Sequence, residues 1–141
     1  MMPAETKFRH GTAAWFEMVG TLMCETASRS RPAPNLNLSL VERYVDGVEL
    51  ADDLVQGIRF DIVGGKPSYR IGALRNERGD VTVEATAAAA RELNRLRSVD
   101  PAYQLLREKY LRTGEIRVAG DPSRLGRWLE AVHDPIVERT L

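Results

Sequence analysis

"GEIRVAGDPSRLGRW", residues Gly114 to Trp128, decides the fold. Glu115 to Ala119 alternate polar and apolar residues between two glycines, which is the period of a strand with one buried face. Asp121-Pro122 then opens a helix over "SRLGRWLEAV", because Asp accepts from orphan N–H groups and Pro has none to lose. The strand comes after helical sequence, so it returns to a sheet that the chain has already built.

Working outward, Asp100-Pro101 starts a helix over "AYQLLREKYLR" that ends at Gly114 as its C-cap. Thr86 opens "AAAARELNRLR", rich in the best helix former. Upstream, "IRFDIV", "SYRIGAL" and "VTVEA" read as strands. Gly64-Gly65 supplies the positive φ of a hairpin between the first two, and "NERGD" is the next turn. "ADDLVQG" reads as a short helix or turn, and "LNLSLVERYVDG" as a strand alternating from Leu36 to Leu40. Thr12 caps a first helix to about Arg29, with Trp15, Val19, Leu22 and Thr26 at helical spacing, and the prolines of "RPAPN" stop it. Asp134-Pro135 begins a last turn.

The order is helix, strands, helices, strand, helix. It predicts an α+β fold: a largely antiparallel sheet of about five strands with helices on one face. Residues 1–10 are polar and expected to be flexible, and 11–141 form one domain. Strand parity turns Ile58, Phe60, Ile62, Tyr69, Ile71, Val81, Val83, Ile116 and Val118 inward. Arg59, Asp61, Arg70, Glu84 and Arg117 then face water and pair across strands.

Composition bounds the function. The 141 residues are 43% hydrophobic and 28% charged, with 20 basic against 20 acidic side chains. That balance argues against a protein built to coat nucleic acid or an anionic membrane. The apolar run Ala13 to Cys24 is interrupted by Glu17 and too short for a bilayer. Cys24 is the only cysteine, so no intramolecular disulfide forms and a cytoplasmic location is expected.

"GDVTVEAT", an alanine-rich helix, another helix, "GEIRVAGD" and a closing helix resemble the sterol carrier protein type-two family. "FDIVGGKPSYRIGA" is similar to its early hairpin, and the helix around Trp15 to its first helix. The resemblance implies an apolar cavity between sheet and helices that holds a fatty acyl chain, a sterol or a similar hydrophobic small molecule. On that reading Trp15, Phe16, Val19, Met23 and Phe60 line the pocket, with Tyr69, Ile71, Trp128 and Val132. Gly114–Asp121 is then scaffold. The chain departs from the family in its charged end, "HDPIVERTL", and lacks a peroxisomal ending.

For chemistry the residues offer little. The two histidines, His10 and His133, are far apart, and no Cys/His/Asp cluster has ligand spacing, so neither metal nor cofactor is expected. Glu42 stands out. If the parity of Leu36, Leu38 and Leu40 continues, Glu42 and Tyr44 face inward, where a carboxyl has a raised pKa and could act as acid or base. A bulge or an exposed strand end would return Glu42 to water, and that outward case is the expected one. His133-Asp134 is the other acid/base candidate. Three roles follow. A continuous apolar cavity favours a binder or carrier without chemistry, which leads. An inward Glu42 favours an enzyme on a hydrophobic substrate in the same cavity. An exposed apolar helix face favours a partner subunit, as in a homodimer.

Overall fold

The computed structural model describes residues 6–141. Its first helix, α1, spans Ala13–Arg29, and Thr12 caps it by accepting from the Trp15 amide at 3.2 Å. Five strands follow: β1 (Leu38–Tyr44), β2 (Glu49–Ala51), β3 (Leu54–Val63), β4 (Lys66–Ala73) and β5 (Val81–Ala85). Then come α2 (Ala87–Leu93), α3 (Pro101–Thr113), β6 (Ile116–Ala119), a single 3-10 turn at Pro122–Leu125, α4 (Trp128–Ala131) and α5 (His133–Glu138). The α+β class stands, and the sheet has six strands, counting the short β2.

β1 is the central strand. It pairs antiparallel with β3 on one side and parallel with β5 on the other. β4 flanks β3, and β6 closes the far edge antiparallel to β5. The quoted stretch therefore returns to the sheet as its parity requires: Val118 sits opposite Val83, and Ile116 opposite Ala85. Gly64 and Gly65 hold φ of 58° and 75° in the β3–β4 turn.

Several boundaries differ from expectation. Of the two readings of "ADDLVQG", a short helix or a turn, the turn holds, but only at residues 52–53 between β2 and β3, with Asp53 left-handed at φ 62° and the flanking residues in strands. The Gln56 side chain sets that corner, accepting from the Val48 amide at 3.1 Å and donating to the Gly11 carbonyl at 2.9 Å. β1 begins at Leu38 and runs to Tyr44. α2 ends at Leu93, and "SRLGRWLEAV" breaks at Gly126, whose φ of 109° no helix accommodates. Asp100 and Asp121 cap their own segments through the Ala102 and Ser123 amides. Asp134 does not. It lies inside α5 and accepts from the Ser98 amide and hydroxyl at 2.8 and 2.7 Å, tying α5 to the α2–α3 connection.

The core lies between the sheet and α1. Phe60, Met23, Leu40, Ile58 and Ile62 are completely buried or nearly so, with Trp128 packed on Phe60 at 5.1 Å between ring centroids. α1 crosses β4 at Gly20, where a Cβ would fall 2.4 Å from the Tyr69 ring, so only glycine permits the approach. The apolar face of α1 is thus covered within the chain. Residues 1–5 of the segment expected to be flexible lie outside the described residues. Its inner end is held: the Phe8 amide donates to Arg139 O and the Leu141 amide to Phe8 O, both at 2.8 Å.

The outer sheet face carries the expected charges. Arg59 and Arg70 stand directly opposite each other, a repulsive pair. Glu77, from the turn before β5, resolves it by accepting from Arg59 at 3.0 Å, from Arg70, and from the Leu74 amide at 3.0 Å. Arg43 pairs with Glu84 at 3.2 Å. Burial pushes the Glu77 carboxyl up, but the Leu74 amide and the two arginines outweigh it and hold the group below its ordinary 4.5. Its ionised form therefore stabilises the fold above that value, and the contribution fades as pH falls through the lowered folded-state pKa. Glu77→Gln is expected to cost about 1–3 kcal/mol in denaturant unfolding at neutral pH. The gap to the wild type narrows in acid.

Candidate functional site

A cleft of about 600 Å³ opens between the sheet and the helices. Its floor is the inner sheet face: Glu42 and Tyr44 of β1, Ile58 of β3, Val83 and Ala85 of β5, and Ile116 and Val118 of β6. One wall is α1, through Trp15, Phe16, Val19 and Met23. The facing wall is α3, whose Tyr103, Arg107 and Leu111 recur every four residues along one side. Leu129, Val132, His133 and Ile136 close the end. Small side chains at Ala85 and Ala90 leave room where larger ones would fill it.

Trp15, Phe16, Val19, Met23 and Val132 of the predicted pocket residues reach this cleft. Phe60 and Trp128 are packed beneath it in the closed core. Tyr69 lies under α1 with its hydroxyl near Thr21 and Glu17, and Ile71 packs beside the core; neither lines the cleft. Tyr103, Leu111, Ala85 and Ala90 were not anticipated. The four-residue spacing on α3 was a usable signal; the two alanines carry none, since their role is the space they leave.

Glu42 points inward, contrary to expectation. β1 pairs with β3 from Leu38 to Arg43 without a bulge, and β5 holds its other edge, so the alternation has no place to slip. Glu42 stands opposite Ile58 and Val83. Among the described residues no side chain or amide hydrogen-bonds or ion-pairs with its carboxyl. Its neighbour Arg43 projects through the other face to Glu84. Burial raises the Glu42 pKa above its ordinary 4.5.

Of the other polar groups of the cleft, Tyr44 and His133 have partners, while Arg107 and Glu130 line it without an ion pair among the described residues. His10 Nε2 accepts from the Tyr44 hydroxyl at 2.9 Å, and the His10 ring packs edge-on against Trp15 at 4.4 Å. Burial first, then Arg91 and Arg95, lowers the His10 pKa to about 4, so the ring is neutral at physiological pH. Burial, and after it the charge of Glu42, push the Tyr44 phenol well above its ordinary range. His133 Nε2 donates to Leu96 O at 2.8 Å, and the ring lies 4.4 Å from that of Tyr103. Asp134 is occupied by Ser98, so the proposed His133–Asp134 pair is not made.

No family model matches the chain, and no curated protein matches it. Solved structures do. A crystal structure of sterol carrier protein 2 superposes with a TM-score of 0.51 at 12% identity, over 94% of this chain and 100% of that one. The sterol carrier protein domain 2 of Helicoverpa armigera gives 0.49 at 14% identity, over 98% of each chain. A sec-alkylsulfatase from Pseudomonas sp. gives 0.45 at 20% identity over 82% of this chain, which spans 15% of that enzyme's length. The chain has the sterol carrier protein 2 fold.

A carboxyl with a raised folded-state pKa binds its proton more tightly in the native protein. Stability should therefore fall as pH rises from about 4.5 toward that pKa. Glu42→Gln should remove this slope, so that the variant matches the wild type in acid and exceeds it near neutrality. Equal slopes in paired denaturation series would contradict the inward carboxyl, and a side-chain carboxyl titration by NMR reads the same pKa directly.

Proposed function

We propose that this protein binds a hydrophobic small molecule in the cleft between sheet and helices, as a carrier or sequestering domain. The observation that carries the reading is the cleft: its volume lies within the ~300–1,000 Å³ of small-molecule sites, and its lining is mostly apolar and aromatic with few polar groups. The likeness to sterol carrier protein 2 supports the fold that such a cleft requires. A fatty acyl chain, a sterol or a molecule of similar character fits the lining.

An enzyme in the same cleft is the weaker reading. Glu42 could transfer a proton, but among the described residues no group hydrogen-bonds to it as a relay. His133 spends Nε2 on Leu96, and His10 is held neutral against Tyr44. A carboxyl with no side chain to orient it suits recognition better than acid/base work.

A fluorescent acyl probe should bind saturably and quench tryptophan emission. Trp15 lines the cleft and Trp128 is sealed in the core. Trp128→Phe should therefore retain most of the quenching, while Trp15→Phe should lose most of it. Absence of saturable binding by acyl, sterol and aromatic probes alike would remove the carrier reading.

A further inference from the structure

The cleft holds a feature that a purely apolar cargo does not need. Glu42 is half-buried and lines the cleft, where a carboxyl that is partly stripped of water gains from a partner. Glu42 has none among the described residues. Arg43 is turned to the opposite face, and Arg59 and Arg70 of the sheet are there too with Glu77. Arg107 faces the cleft from α3 but is exposed and makes no ion pair with Glu42.

The surroundings of Glu42 are aromatic. Phe16 and Tyr44 lie 5.7 Å apart between centroids, and Trp15 and Phe16 5.0 Å apart. Tyr103 faces them from α3, close enough that the charge of Glu42 acts on the hydroxyls of both tyrosines. Aromatic faces attract cations through their quadrupole. A half-buried carboxylate beside them adds a charge-assisted hydrogen bond that the partly dehydrated cleft strengthens. The same carboxylate repels an anionic head.

Resting on the binding reading above, we infer that the cleft selects a hydrophobic amine: an apolar body along Val19, Met23 and Leu111, with a protonated amino group at Glu42 among the rings of Phe16, Tyr44 and Tyr103. A neutral lipid would leave the carboxyl unpaired, and a fatty-acid anion would be turned away from the floor.

The test compares three probes of equal chain length, decylammonium, decanol and decanoate, by tryptophan fluorescence titration of the full chain below their micellisation limits. Decylammonium should bind about tenfold or more tighter than decanol, with decanoate weakest. Glu42→Gln, which keeps the side-chain shape, should erase the ammonium advantage and leave decanol within about twofold of its original affinity. If decanol binds and decylammonium binds no better, the inference fails while the binding reading stands. It fails equally if the ammonium advantage survives Glu42→Gln. If none of the three binds, and the fluorescent acyl probe does not either, the binding reading falls and this inference with it.

Discussion

The structure depends on β1 being locked on both edges. β3 runs antiparallel along one side and β5 parallel along the other, and the ladder with each is continuous. A strand so held cannot slip by one residue without turning Leu38 and Leu40 to solvent and Ser39 into the core. The burial of those leucines therefore enforces the inward position of Glu42, although the carboxyl itself opposes it. Gly57 shows how closely the strands are set: a Cβ there would fall 2.5 Å from the Glu42 carbonyl. Local cost is tolerated because the register is decided collectively.

A second constraint joins the chain ends to the cleft wall. Trp15 donates its indole N–H to Thr140 Oγ1 at 2.9 Å, and the Thr140 hydroxyl donates to Ile136 O at 2.7 Å. The Phe8–Thr140 bridge runs alongside. The start of α1 and the end of α5 are thus one unit, and the wall presented by Trp15 and Phe16 is positioned by the C-terminal residues. Asp134 extends the same unit toward α3 through Ser98.

Much of this was legible in local sequence. Thr12, Thr86, Asp100 and Gly114 act at helix ends because capping needs only residues a few positions apart. Gly64-Gly65 and the inward parity of β3, β4, β5 and β6 are equally local. What sequence hid was decided at long range. Glu77 read as a turn residue, and only the cross-strand Arg59–Arg70 pairing gives it a role. Asp134 carries the same Asp-Pro signature as Asp100 but spends its carboxylate on Ser98, on a different element. For Glu42 the parity argument was sound, and the expectation of a bulge was not. The combined burial of the strand outweighs the cost of one half-buried carboxyl.

The difference between a filled core and a lined cleft also lies at long range. Between α1, α4 and the sheet the side chains are closed off: Leu40 and Phe60 are fully buried and Trp128 nearly so. Under α3 they are not, because that helix buries only Tyr110 and turns Tyr103, Gln104, Arg107 and Leu111 toward the opening. Beneath it the sheet packs on α3 at one place, where Ala85 and Ile116 meet Tyr110 with Val83 and Leu106 against them, and the rest of the helix's inner side stands over the opening. The Tyr110 hydroxyl donates to Glu92 and joins α3 to α2 beside that contact. The residues on either side are ordinary core types. It is how they are combined across α3 and the two strands below it that leaves the cleft open beside Glu42.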